Sequence, residues 1–266
     1  MSAPCPPRRV RGDPTVTAVP NSVLGKAVAV LNAYEPGDES LSLAELHRRT
    51  GIPKTTLHRL LGELDEWKVL ERTRRGYRLG MRMFEWGQLV SVQRSLCDAA
   101  APFLACLSEA TRATVNLAVP EGPDVVYIQK INALDEPRRP PRVGGRLPMH
   151  CTALGKAILA HGLPGRLDAL VSGGLVGQTS RSVRDLVALR AEIERVRACG
   201  FAEEREEAVV GVACVAAPVR NSSGAVIGAI SVAGRPARID AGRVWPTLRA
   251  TALGLSRNVG RRGPGW

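Results

Sequence analysis

Several side chains able to grip a polyanion crowd into one short stretch. Lys54, Thr55, Thr56, His58 and Arg59 follow Pro53 closely, and no acid appears until Glu63. Cationic side chains meet phosphates, while hydroxyls, imidazole and guanidinium reach the donors and acceptors on base edges in a DNA major groove. A second basic group follows: Arg72, Arg74 and Arg75, closed by Gly76. Together they suit a reading segment flanked by a clamp on the phosphate backbone.

Other chemistries are weaker. His150 beside Cys151 suggests a thiol nucleophile with its base, but neighbouring residues on a helix do not face each other. A metal would need a third ligand at suitable spacing, and none is visible. Ser222-Ser223-Gly224 reads as a turn, not as the G-x-S-x-G elbow of a hydrolase. The six cysteines, Cys5, Cys97, Cys106, Cys151, Cys199 and Cys214, are scattered without a C-x-x-C pair, which fits reduced thiols in a cytoplasm. We therefore expect no catalytic residue, no metal and no cofactor. The alternative kept open is a thiol-dependent small-molecule enzyme with an appended DNA-binding domain.

The first basic group needs a helix to present it. Ser42 followed by Glu45 reads as a capping box, opening a helix that runs to Thr50 and stops at Gly51. Pro53 starts the next helix, since its fixed φ suits a first turn. Leu57, Leu60, Leu61 and Leu64 lie at i, i+3, i+4, i+7, one buried stripe. Lys54, Thr55, His58 and Arg59 fall off that stripe. Val69-Leu70 and Tyr77-Arg78-Leu79 read as two short strands around the arginine-rich tip. An ordinary helical hairpin with a solvated charged face is the competing reading. The cap, Gly51, Pro53, the basic leading end and the basic hairpin together favour DNA.

Around this stretch the chain reads in order. Residues 1–20, rich in proline with three arginines near the start and no apolar core, suit a disordered arm rather than a secretory signal. Asn21 or Ser22 caps a helix with Leu24, Ala27, Val28, Leu31 and Tyr34 on one stripe. Residues 81–96 suit a linker helix, with Met83, Phe84, Leu89, Val90 and Val92 either covering the first domain or pairing with a second subunit. Asp98 is placed to cap a helix to Ala110. Thr114–Val119 and Asp124–Ile131 read as a hairpin, DEPRRPP at 135–141 as a polar loop, and Arg142–Met149 as extended. A helix runs from His150 to His161 and another from Asp185 to Ala198, closed by Gly200. Strands follow at 201–204, 209–219 and 225–232, with an N-S-S-G turn before the last. A final helix covers 241–259, starting or kinking at Pro246.

The whole is an α+β chain with a winged helix-turn-helix at 21–80, the linker at 81–96, and a domain at 97–262 with an antiparallel sheet and helices. Net charge is +12, with 13 basic and 9 acidic residues up to Gly80 and 24 and 16 beyond it. The positive balance favours polyanionic partners without locating their site. No apolar run is long enough for a membrane span.

The run GIPKTTLHRLLGEL followed by GYRLG resembles the winged helix-turn-helix of IclR-type bacterial transcription regulators. That family usually carries Gly where this chain has Lys68, so the resemblance implies a Lys held at positive φ. LPMHCTALGKAILA and GFAEEREEAVVGVACVAAPVRNSSGAVIGAISVAG resemble two segments of the family's effector domain. The likeness spans roughly residues 22–238. It implies a GAF-like domain, in which an antiparallel sheet flanked by helices binds a small organic molecule. It also favours dimerisation through the linker helix.

Carried over position by position, the family's ligand contacts fall on Ala153, Leu154, Glu204, Cys214, Ser231 and Ala233. Leu154 and Ala233 stand where the family often has small and polar residues, which implies a more apolar pocket. Glu204 stands where a shorter acid sits in the family. An aromatic or larger acid therefore fits as well as a small oxo-acid. Without the resemblance, Cys214 between Val212 and Val215 reads equally as a buried core thiol, and the acidic run 203–207 as a solvated face. The expected protein is a cytoplasmic, ligand-responsive repressor or activator. Its expected partners are a double-stranded operator, a small effector and further copies of itself as a dimer or dimer of dimers. Effector binding would shift the spacing of the winged domains. A constitutive DNA-binding protein whose second domain only oligomerises is the third reading.

Overall fold

Buried leucines decide where the first helices meet. In the computed structural model, which describes residues 21–134, 141–162, 165, 167, 170 and 173–261, Leu57, Leu60 and Leu61 are buried on one side of α3 (Lys54–Glu66). They pack with Val30 of α1 (Val23–Asn32) and Leu46 of α2 (Leu43–Thr50). The expected arm at 1–20 and most of the 135–141 loop lie outside the described residues.

Ser22 caps α1 by accepting from Gly25 N at 3.0 Å. The stripe expected on α1 is corrected: Leu24 and Val28 point outward, and the buried side carries Val30 with Ala27, Leu31 and Tyr34 beside it. Ser42 accepts from Glu45 N at 3.2 Å, but only that half of the capping box forms. The Glu45 carboxylate is taken by Arg48 and Arg49 instead, because two guanidiniums outcompete one amide. Arg49 also binds Asp38 at 2.6 Å and the Ala33 carbonyl at 2.8 Å, tying α2 to the preceding turn. Gly51 ends α2 in the left-handed region at φ 71, as expected. Pro53 occupies the cap of α3 rather than its first turn, with ψ 140.

β1 (Leu70–Thr73) and β2 (Gly76–Leu79) form an antiparallel hairpin with Glu71 opposite Arg78. Leu41 bridges to Tyr77, and Tyr34 Oη donates to the Tyr77 carbonyl at 2.9 Å. The hairpin is thus bolted to the helices behind it. Lys68 sits at φ 59 just past α3, and Val69 N returns to the Leu64 carbonyl at 3.0 Å. This is a helix end of the kind that favours glycine.

The apolar segment that follows is broken. α4 (Met81–Gln88) stops, and a new helix α5 (Ser91–Thr111) begins. Asp98 is therefore inside α5 and caps nothing. The chain divides into two compact units, one up to Val90 and one from Ser91.

In the second unit six strands form an antiparallel sheet: β3 (Thr114–Glu121), β4 (Asp124–Ile131), β5 (Arg146–Pro148), β6 (Ala202–Arg205), β7 (Ala213–Arg220) and β8 (Val226–Gly234). Their spatial order is β5-β4-β3-β8-β7-β6. Alternate residues face opposite sides. Val115, Leu117, Val215, Ala217, Ile230 and Val232 pack on α5 and on α8 (Ala241–Arg261). Ala118, Tyr127, Ala202, Ala216 and Ala229 face α6 (Ala153–His161) and α7 (Leu186–Cys199).

Two further boundaries differ from expectation, and a third holds. α6 starts at Ala153 with Thr152 as its cap, and His150-Cys151 lie in a one-turn 3-10 helix before it. β7 begins at Ala213, because residues 206–212 fold back as a turn with Glu206 N bonded to the Val212 carbonyl. α8 begins at Ala241 as expected, so of the two readings of Pro246 the one that starts the helix there is set aside: Pro246 lies inside it.

The strain at Lys68 is testable. Lys68→Gly should stabilise the winged unit by about 0.5–1 kcal/mol, the relief of a left-handed side chain less the extra freedom of the unfolded chain. Lys68→Val should destabilise it. Denaturant titration of the three proteins reads both.

Candidate nucleic-acid interface and small-molecule pocket

The leading end of α3 is open. Lys54, Thr55, His58 and Arg59 are exposed and Thr56 is half-buried. They stay outward because the leucines of the same helix take the inside. Pro53 makes no side-chain cap, so the first backbone N–H groups of α3 have no side-chain acceptor from it. Arg59 donates to Glu63 at 2.9 Å, one turn along. Arg59 is 64% exposed, so this pair is weakly held, about 0.3–0.5 kcal/mol for such spacing.

Arg72, Arg74 and Arg75 are exposed at the hairpin tip. Thr73 Oγ1 shapes that tip, accepting from Arg75 N at 3.2 Å and donating to the Gly76 carbonyl at 3.1 Å. Arg72 N donates to Asp65 of α3 at 3.1 Å, which fixes the hairpin against the helix. Two cationic groups separated in sequence are thus mounted on one small scaffold.

The second unit holds a partly open pocket. Its empty space is about 580 Å³, counting the part that opens to solvent. Ala153, Leu154, Glu204, Cys214, Ser231 and Ala233 all line it. Strand register explains how they meet. Glu204 lies opposite Cys214, Cys214 opposite Ala233, and Ala233 opposite Thr114, a straight row across β6, β7, β8 and β3. One residue step of two along the strands, Ser231 lies opposite Asn116, and Asn116 opposite Lys130.

α6 closes the pocket from above. Thr152 Oγ1 accepts from Gly155 N at 2.9 Å and sets the first turn, which carries Ala153 and Leu154. Gly155 is required by space: a Cβ there would stand 2.2 Å from the Met149 carbonyl oxygen.

The side of the pocket is the turn 206–212, which supplies Ala208, Val209 and Val212. It is anchored by Lys156 of α6, fully buried, whose ammonium lies 2.7 Å from both Glu207 oxygens and 2.5 Å from Glu192 of α7. Thr179 and Ser182 donate to the carbonyls of Glu206 and Glu207, each at 2.7 Å.

The pocket's electrostatics follow from burial. Desolvation lifts the Glu204 carboxyl from 4.5 to about 7, against the pull of hydrogen bonds from Cys214 and from Glu207 N at 3.0 Å. Burial also pushes the Cys214 thiol well up, with the nearby Glu204 charge adding to it. Tyr127 is raised for the same reasons, and burial lowers the Lys130 ammonium. Cys151 is likewise raised by burial, and its thiolate is disfavoured. Neither Cys151 nor Cys214 has the electropositive, accessible setting of a reactive thiol. Among the described residues no group of three or more His, Cys, Asp or Glu is placed to hold a metal ion. No helix among them is long and apolar enough to cross a membrane.

Reading the sequence missed Asn116, Tyr127, Lys130 and Leu147 on the pocket wall. The signal was present for Asn116: in TVNLAV, Val115 and Leu117 face one side while Thr114 and Asn116 face the other. Lys130 gave no such signal, since a lysine near a strand end reads as solvated.

Because Glu204 holds its proton more tightly folded than unfolded, its contribution opposes folding as pH rises from 4.5 to 7, and fully so above. Glu204→Gln should therefore stabilise the domain at pH 8 by on the order of 1–3 kcal/mol, and much less at pH 5. Urea titrations at the two pH values check this.

Comparison with known proteins places both units. Residues 23–74 match the family model described as the IclR helix-turn-helix domain. Residues 88–257 match that described as bacterial transcriptional regulator IclR C-terminal. The HTH-type transcriptional regulator XynR of Escherichia coli K12 is 31% identical over 88% of this chain and 96% of its own. The HTH-type transcriptional repressor AllR of Klebsiella pneumoniae is 30% identical over 89% of each. A crystal structure of an IclR homologue from Microbacterium hydrocarbonoxydans, complexed with 4-hydroxybenzoate, superposes with a TM-score of 0.82. It is 27% identical, and the match covers 91% of this chain and all of that one.

Proposed function

The chain belongs to the IclR family of bacterial transcription regulators, and from that membership we propose how its two units divide the work. It is a ligand-responsive regulator that binds DNA through its helix-turn-helix and senses a small molecule through its C-terminal domain. It is not an enzyme. In our reading Lys54, Thr55, Thr56, His58 and Arg59 enter the major groove from α3. Arg72, Arg74 and Arg75 lie along the phosphates beside it. Arg59 exchanges its weak pair with Glu63 for a base edge or a phosphate on binding.

The effector occupies the pocket between the sheet and α6. One observation carries this: six residues scattered from 153 to 233 line the same pocket. Leu154 and Ala233 make the wall apolar, and a homologue binds 4-hydroxybenzoate, so we assign an organic acid of aromatic size.

The protein works in the cytoplasm, where its DNA is, as a dimer or a dimer of dimers. Paired subunits would present paired reading helices to a pseudo-palindromic operator. Phe84, Trp86 and Leu89 on and just after α4 are exposed, and none of α4 is buried within one chain. Such a face suits a second copy. Effector binding alters operator affinity by a coupling free energy of about 1–3 kcal/mol.

With an operator selected from a random duplex pool, Arg59→Ala should weaken binding by roughly 1–3 kcal/mol at fixed salt if Arg59 reads a base. Arg74→Ala should weaken all duplexes alike and lower the salt slope by about 1. Gel-shift titrations decide it. Unchanged affinity in Arg59→Ala would remove that residue from the reading surface.

A further inference from the structure

Asn116 is 4% exposed and lies on the pocket wall. Its side-chain amide nitrogen donates to Ser231 Oγ at 3.2 Å. Its carbonyl oxygen Oδ1 is buried with no hydrogen-bond partner among the described residues. Buried acceptors are rarely left so, because each loses its water without recompense. The same strand face holds Thr114 two residues away and Lys130 directly across on β4. Among the described residues Lys130 is the one cation that lines the pocket, and its Nζ donates to the Pro141 carbonyl at 2.9 Å.

The rest of the wall is mixed: Leu147, Leu154 and Val209 share it with Tyr127, Glu204 and Cys214. The polar groups that a ligand meets there fix its orientation and identity. A cation and an orphan acceptor stand side by side on neighbouring strands. They are complementary to a molecule with an anionic group and a separate O–H or N–H.

We propose that Asn116 is a specificity-determining residue of the effector pocket: its Oδ1 accepts from a hydroxyl or amino group on the effector, whose carboxylate lies toward Lys130. This rests on the assignment of the pocket as the effector site and narrows the acid to one that carries a hydrogen-bond donor. Ser231 holds the Asn116 amide in the orientation that presents Oδ1. The preference is discriminating because an acid lacking the donor leaves Oδ1 orphaned in the complex, which a donor-bearing acid does not.

Calorimetric titration of the full chain with 4-hydroxybenzoate, 3-hydroxybenzoate, 4-aminobenzoate, benzoate and 4-fluorobenzoate tests this. The fluoro acid is close in size to the 4-hydroxy acid and has no donor. At least one donor-bearing acid should bind tenfold or more tighter than both benzoate and the fluoro acid. In Asn116→Leu that ratio should fall to near one, and in Lys130→Met all the acids should weaken together with the ratio kept. Equal affinity for acids with and without a donor in the unaltered protein overturns the role of Asn116 and leaves the effector pocket standing. The same holds if Asn116→Leu stays folded and keeps the ratio. If none of the five acids binds, the aromatic-acid reading of the pocket falls, and this inference with it. The ratio in the unaltered protein decides the matter even if Asn116→Leu does not fold.

Discussion

The buried ammonium of Lys156 is the interaction on which the ligand-binding half depends. A charge with no exposed surface must be neutralised where it sits. Glu207 and Glu192 do this from two different directions, at 2.7 and 2.5 Å. Lys156 belongs to α6, Glu192 to α7, and Glu207 to the turn that walls the pocket. One ionic cluster therefore joins the roof, a flanking helix and the side wall. It also explains why residues 206–212 fold as a turn instead of extending β7: Glu207 must turn inward to reach the lysine, and Glu206 adopts φ 61 beside it.

The pocket is then made by leaving this face of the sheet thinly filled. On the opposite face branched side chains from β3, β7 and β8 meet α5 and α8 in a continuous core. On the pocket face the strands carry Thr114, Asn116, Ser231, Ala233 and Cys214. Short side chains there leave space beneath α6. The polar ones among them bring the few hydrogen-bonding groups that give the space chemical character. Glu204 shows the consequence of that setting, since removal from water raises to about 7 the pKa of a carboxyl that a surface would keep fully charged. An acidic effector thus meets less opposing charge than the sequence suggests.

The DNA-binding half uses the opposite arrangement. Nothing is enclosed; the apolar side of α3 is consumed by α1 and α2, and whatever remains faces out. The Arg49 network and the bridge from Leu41 to Tyr77 make a small unit rigid without a large core. Rigidity there matters because a reading helix must enter a groove in a defined pose, and side chains with one weak local partner, such as Arg59, can change partner at little cost.

The sequence alone determined the α+β class, the helix-turn-helix with its cationic face, the cap at Ser42 and the left-handed helix end at Gly51. All of these follow from short-range rules: a leucine period, a capping hydroxyl, a helix end that wants glycine. It also placed the hairpins and, through resemblance, the six residues that meet in the pocket. Boundaries were less secure. Asp98 reads as a cap but is overrun by α5, and Leu24 and Val28 share a helical period with Leu31 yet face out. Only the tertiary structure decided that Asn116 and Lys130 join Ser231, that Lys156 is buried, and that Glu204 is stripped of water. Those facts depend on strand register and on segments 51 to 115 residues apart coming together. Local pattern carries no information on which distant groups will share a dry space, and that sharing sets their chemistry.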